Sequence, residues 1–325
     1  MNTTAAVKIA VDTQFRKDVD SGLSAEPKSL SSMYFYDKKG DELFMQIMQL
    51  PEYYLTRAEL EIFSEQTTSM IDALGMKKGT YFELIELGAG DGSKTKYLLK
   101  ELLKQGFDFS YLPIDISHNV LKYLKTNLQN ELPNLSIKPQ QGDYFTRLDN
   151  LKEHKCPKAV LFLGSNIGNM TDEVAAKFIY ELGSSLSAGD RLLLGVDRIK
   201  SEDIVLPAYN DAQGVTSEFN LNLLRRINTE LGANFDLQQF KHVPEYDADE
   251  GIARSYLQSQ CRQSVMINSL NKSYEFARGE KIHMEVSRKY DDVIINSIIS
   301  DSDFTIVEHL TDKQEYFSDY IFEKS

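Results

Sequence analysis

Three glycines fall within five positions, Gly88-Ala89-Gly90-Asp91-Gly92, where the apolar run LIEL passes into the amphipathic segment TKYLL. Glycine permits a tight turn and lets the backbone approach a ligand, and at a helix N-terminus it leaves N–H groups free to bind one. The GxGxG spacing differs from the GxGxxG that cradles a dinucleotide pyrophosphate. Preceded by the acidic Glu86, it suits a nucleoside without a pyrophosphate. S-adenosylmethionine is such a nucleoside. Two more acidic residues stand at the ends of later runs. Asp115 closes YLPID, where a carboxylate accepts hydrogen bonds from ribose hydroxyls, and Asp143 follows QQG, where it is placed for an adenine amino group. The run LFLGSNIGNM carries Ser165, Asn166 and Asn169, and an Asn amide both donates and accepts hydrogen bonds. Each of these residues alone also reads as a turn or cap, with Thr171 a helix N-cap. Together and in order they point to an adenosine-type cofactor.

Strands are needed to hold these residues at one edge. YFELIELG, FSYLPIDI, AVLFLGSN and RLLLGVDR are short apolar runs separated by helical stretches, the pattern of a parallel sheet covered on both faces. Residues 62–198 therefore read as a doubly wound α/β unit. DFTIVEHL and YFSDYIFEK read as two antiparallel strands that rejoin its edge, adding 290–325. Residues 1–61 read as mostly helical. In GDELFMQIMQL, Leu43, Phe44, Ile47, Met48 and Leu50 share a face until Pro51 stops it. TRAELEIFSEQTTSMIDAL reads as one helical segment ending before Gly75. Residues 199–289 break the rhythm with the helical FNLNLLRRINTEL and then strands, so 1–61 plus 199–289 form a second, discontinuous α+β domain.

The chain has 325 residues, 42% of them hydrophobic, enough for roughly two cores. No window approaches the ~20 apolar residues of a membrane span, and charges interrupt the N-terminal apolar patch, so neither a span nor a secretion signal is expected. Cys156 and Cys261 match no metal spacing, and no His, Cys, Asp or Glu cluster suggests a metal. A cytoplasmic location is expected. The formal net charge of −13 argues against nucleic acid as a partner and for a small molecule, and would not repel a cationic one. His118 reads as a surface or helix-start residue. His283, two before Glu285, shares its face in a strand.

The stretches YFYDKKGDELFMQIMQLPEYYLTRAE, IELGAGDGSKT, LFLGSNIGN, LLLGVDRIK, AYNDAQGVTSEFN and MEVSRKY resemble those of the ergothioneine-pathway L-histidine Nα-methyltransferases, whose relatives include fungal enzymes acting on a tryptophan derivative. The resemblance implies a class I methyltransferase domain that binds S-adenosylmethionine at 62–198 plus 290–325, and a substrate domain at 1–61 plus 199–289. Gly88, Gly90 and Lys94 would serve the glycine turn, Asp115 the ribose and Asp143 the adenine. Tyr36, Phe44, Tyr53, Asn169, Tyr209, Glu285 and Ser287 would line the amino-acid pocket. Asn169 and Tyr209 would hold the α-carboxylate, Glu285 and Ser287 the imidazole, and Asn169 would face the methyl group. Tyr53, Asn169 and Tyr209 are the catalytic candidates, with Tyr53 or a water the acceptor for the amine proton. Ser255 stands where histidine enzymes carry a methionine, which implies a roomier or more polar pocket. The expected reaction is methylation of the histidine α-amino group to the trimethyl betaine by a monomer. The alternatives are another amino acid or amine such as tryptophan, or a binding module without turnover.

Overall fold

The computed structural model describes residues 3–143 and 155–325, with side chains from Thr13 onward. The chain divides into two compact units, Tyr54–Lys200 with Arg288–Ser325, and Met1–Tyr53 with Ser201–Ser287. Elements are numbered along the chain.

Among its described residues the first unit holds a seven-stranded sheet. β1 (Phe82–Leu87), β2 (Phe109–Asp115), β3 (Gln140–Gln141), β4 (Lys158–Phe162) and β5 (Arg191–Asp197) run parallel. β11 (Phe304–Thr311) and β12 (Phe317–Lys324) complete it in the order β11-β12-β5-β4-β1-β2-β3, with β12 antiparallel to both neighbours. Every side chain of β1 and β4 is buried, as strands covered on both faces require. Leu84, Leu161 and Leu193 meet Ile62 and Phe63 of α3 (Tyr54–Glu65), Met70 of α4 (Thr67–Leu74), Leu98 of α5 (Thr95–Lys104) and Leu124 of α6 (His118–Glu131). On the opposite face Ile85, Val160 and Leu194 meet Phe178 and Leu182 of α7 (Asp172–Ser184) and Ile295 of α10 (Asp292–Ile299). This is an α/β, doubly wound architecture.

Two details differ from the sequence pattern. The segment expected as one helix is α3 and α4, broken at Gln66, whose side-chain amide donates to the Thr311 carbonyl (2.7 Å) instead of facing solvent. The units divide at residue 53/54, not 61/62. Ala58, Ile62 and Phe63 of α3 pack into the sheet's own core, so the whole helix belongs there. The other divisions fall at 200/201 and 287/288.

The second unit comprises α1 (Thr3–Ser24), α2 (Lys38–Ile47), α8 (Glu202–Ala208), α9 (Val215–Leu231), a sheet of order β10-β7-β6, and the hairpin β8 (Gln263–Ile267) with β9 (Lys272–Phe276). β6 is Phe240–Asp247, β7 is Ile252–Ser259 and β10 is Lys281–Arg288. Phe219, Leu223 and Ile227 recur every four residues on α9 and fill one stripe against Phe35, Leu43, Leu257 and Met284. Among the described residues, no helix is long and apolar enough to cross a membrane.

Candidate active site

At the carboxyl end of β1 the chain turns through Gly88, Gly90 and Gly92 with φ of 69°, 55° and 69°, the left-handed region that glycine alone enters without strain. A Cβ on Gly92 would lie 3.1 Å from Cδ1 of Leu124, whereas one on Gly90 would meet nothing within 4 Å. The backbone at Gly90 thus faces open space. The Asp115 carboxylate, at the end of β2, accepts the N–H groups of Gly90 (3.2 Å) and Ser117 (2.8 Å). The Ile116 N–H is directed at it as well, which leaves about one of its roughly four acceptor positions for a ligand. Burial raises its pKa, and those N–H groups oppose the rise. Gly142 donates its N–H to the Asp115 carbonyl (3.0 Å), which brings the exposed Asp143 to the same strand ends. An open glycine turn with a part-satisfied carboxylate beside it fits a ribose-bearing group.

Lys94 precedes α5, and its ammonium pairs with the fully buried Glu59 of α3. Burial lowers the Lys94 pKa, but Glu59 outweighs it and the net shift is upward. The Glu59 carboxylate also accepts the Gly164 N–H (2.9 and 3.1 Å), so one buried acid ties the glycine turn to the loop after β4. A Cβ on Gly195 would lie 2.3 Å from Oε1 of Glu59 and 2.9 Å from Oδ1 of Asp319. The Asp319 carboxylate is itself fully buried and has no hydrogen-bond partner among the described residues; burial pushes its pKa well up and Glu59 adds to the rise, while the Lys94 ammonium opposes it.

The loop after β4 passes through Gly164 and Ser165 in the left-handed region and then one 3-10 turn, Asn166–Asn169. Ser165 Oγ accepts the Asp197 N–H (3.0 Å), and the Tyr290 hydroxyl donates to the Ile167 carbonyl (3.2 Å). A Cβ on Gly168 would lie 2.7 Å from the Arg288 carbonyl oxygen. Asn169 ends the turn exposed, and Thr171 caps α7 by accepting the Val174 N–H (3.4 Å).

In the second unit, Tyr36 and Phe44 meet edge to face (5.6 Å), and Phe44 meets Tyr53 (6.4 Å). Phe219 of α9 lies against both Tyr36 (5.7 Å) and Phe44 (5.9 Å). Tyr209, at the C-cap of α8, shares a 2.8 Å hydrogen bond with Ser287 of β10, and both are buried. Glu285, two residues before Ser287, is half-buried. His283 lies edge-on to Tyr256 (5.5 Å), and burial lowers its pKa, with Arg254 adding to the effect. Ser255 is buried on β7 in alternation with Ala253 and Leu257.

A family model described as histidine-specific methyltransferase, SAM-dependent, matches residues 15–324. The chain belongs to that family. It is 38% identical to the histidine N-alpha-methyltransferase of Mycolicibacterium smegmatis, over 89% of each chain. The protein of the same name from Mycobacterium tuberculosis is 38% identical over 85% of this chain and 84% of that one. Ergothioneine biosynthesis protein 1 of Schizosaccharomyces pombe is 30% identical over 91% of this chain and 39% of its own length.

In this histidine-specific methyltransferase, the cofactor candidates Gly88, Gly90, Lys94, Asp115 and Asp143 all lie in the sheet unit, as does Asn169. Tyr36, Phe44, Tyr53, Tyr209, Glu285 and Ser287 lie in the other. The structure joins Gly90 to Asp115, Phe44 to Tyr36 and to Tyr53, and Tyr209 to Ser287. Sequence reasoning missed Phe219, the ring that ties Tyr36 to Phe44, and Glu59, the partner of Lys94. Phe219 belongs to AYNDAQGVTSEFN and Glu59 ends PEYYLTRAE, so both stood inside stretches that had attracted notice.

Proposed function

We propose that this enzyme transfers methyl groups from S-adenosylmethionine to the α-amino group of L-histidine, three times in succession, giving the trimethyl betaine. When bound, the cofactor supplies an electrophilic methyl group on a sulfonium. The remaining work is alignment by the protein's own residues. We assign the ribose to Asp115, the adenine to Asp143, and the cofactor's tail to Lys94. Asn169 and Tyr209 take the substrate carboxylate.

Glu285 beside the buried Tyr209–Ser287 pair is the observation that carries the substrate reading. An imidazole N–H matches a carboxylate acceptor, and the second ring nitrogen matches a hydroxyl that donates or accepts. An indole offers one donor on a larger body, and would leave polar groups there unpaired at about 1–3 kcal/mol. The names of the mycobacterial relatives support the same choice. Tyr36 and Phe44, packed on Phe219, and Tyr53, packed on Phe44, exclude water and favour the neutral amine that must attack. Their ring faces stabilise the growing ammonium by ~0.5–2 kcal/mol each. Tyr53 is the hydroxyl we assign to hydrogen-bond the amine and pass its proton on to water.

The test is mass spectrometry of L-histidine, L-tryptophan and other amino acids incubated with the enzyme and S-adenosylmethionine. A gain of three methyl groups on histidine, lost in Glu285→Ala while S-adenosylhomocysteine still binds, is the expected result. Turnover of a different amino acid with histidine untouched would overturn the assignment.

A further inference from the structure

The chain passes between its two units three times, at 53/54, 200/201 and 287/288. Next to each passage, on the sheet-unit side, stands a residue that reaches one carboxylate. The Tyr54 hydroxyl donates to Asp197 at 2.8 and 3.0 Å. The Lys200 ammonium reaches Asp197 at 2.5 Å and the Lys289 ammonium at 2.8 Å. Tyr54 and Lys200 are the first and last residues of one segment of that unit, and Lys289 is the second residue of the other.

Asp197 has no exposed surface, nor has Lys289, while the Lys200 side chain is 7% exposed. One carboxylate facing two ammonium groups in a buried site is costly to assemble and is stable only as a set. Lys200 is held further by the Tyr54 ring, 4.6 Å from its Nζ, and by the Tyr316 ring at 5.6 Å. Burial pushes the Lys200 pKa down against the pull of Asp197. For Asp197 burial pushes the other way, but Lys289 and then Lys200 hold its pKa below the usual carboxylate value.

The same residue also reaches the loop after β4. Its backbone N–H donates to Ser165 Oγ (3.0 Å), and its carbonyl accepts the Tyr290 N–H (2.8 Å). Tyr290 in turn holds Ile167, two residues before Asn169. Asp197 is thus covalently one residue from no assigned group, yet it fixes the neighbours of three. Tyr54 follows Tyr53, Lys289 lies two residues after Ser287, and Ser165 begins the turn that ends at Asn169.

We infer that Asp197 is a positioning residue for methyl transfer, holding within the sheet unit the residues next to all three passages, Tyr54, Lys200 and Lys289, together with the loop that ends at Asn169. This rests on the proposed reaction. Loosening the clamp lowers the frequency with which amine, methyl group and sulfur align, and leaves Gly90 and Asp115 untouched.

Asp197→Asn, Tyr54→Phe and Lys200→Met are compared with the wild type by calorimetric titration of S-adenosylhomocysteine, steady-state kinetics with histidine, and mass spectrometry of the products. The expected result for Asp197→Asn is S-adenosylhomocysteine affinity within about threefold of wild type, kcat for the first methylation lowered 10- to 100-fold, and mono- and dimethyl products accumulating. Tyr54→Phe shows the same pattern, smaller. A purely architectural residue would lower the melting temperature and the active fraction without changing the product ratio. If Asp197→Asn fails to fold, Tyr54→Phe and Lys200→Met decide. Unchanged kcat and product ratio in the folded variants, or loss of cofactor affinity in step with kcat, overturns the inference. Failure of the wild type to methylate histidine overturns the proposed function instead.

Discussion

Glu86 is next to last in β1, two residues before the glycine turn, and its pH behaviour follows from its surroundings. It is 2% exposed, and burial raises its carboxyl from 4.5 to about 7 even though Tyr111 and Thr95 donate hydrogen bonds to it and oppose the rise. Above pH 4.5 the unfolded chain releases this proton, while the folded protein keeps it up to about pH 7. The folded state therefore loses ground as pH rises through that window, and the loss is complete above it. About 2.5 pH units at about 1.4 kcal/mol each give a total of about 3 kcal/mol. Glu86→Gln removes the titration and keeps an acceptor for Thr95 and Tyr111. Urea unfolding of both proteins at pH 4.5, 5.5, 6.5 and 7.5 isolates the effect, since every other titrating group is common to the two. The variant should gain on the wild type by up to about 3 kcal/mol across the series, with no further gain above pH 7.5. Parallel stability curves would show that Glu86 ionises at its ordinary value, and that the turn's foundation is not the dry site described.

Gly195→Ala should cost about 1–3 kcal/mol in urea unfolding, because its methyl group would press on Glu59 and Asp319 inside the sheet unit, and both of those residues are fully buried. An unchanged midpoint would refute that packing. Lys94→Met strands the buried Glu59 carboxylate and should cost about 3–5 kcal/mol. Adding Glu59→Gln should recover a substantial part, and additive costs in a double-mutant cycle would mean the two are not coupled. Tyr209→Phe and Ser287→Ala each break the 2.8 Å hydrogen bond between them, so their effects on kcat/KM for histidine should be non-additive by about 1 kcal/mol. Strict additivity would separate their roles.

What could be read in the sequence follows from the range over which each signal acts. The strands of the sheet unit are continuous apolar runs because both faces are covered, and the turn is spelled by glycines whose left-handed φ is a property of single residues. Asp115 and Asp143 were legible for a related reason, since a doubly wound sheet delivers strand ends to one edge whatever lies elsewhere. The break at Gln66 was not legible, because nothing in α3 or α4 announces an acceptor on the Thr311 carbonyl. Glu59 read as one more charge on an amphipathic helix, and only the fold sets it against Lys94 and Gly164. Asp197 is the sharpest case. Where the apolar run of LLLGVDRIK gives way to DRIK it has the appearance of a strand running out into solvent, the usual place for a charged residue. Its partners come from PEYYLTRAE, from the same LLLGVDRIK and from MEVSRKY, so the stretches that carried the resemblance converge on one carboxylate. On the sheet-unit side, the residues next to the three passages are held at that one carboxylate. The residues that do this need not touch the substrate, which is why chemistry read from residue types alone passed over them.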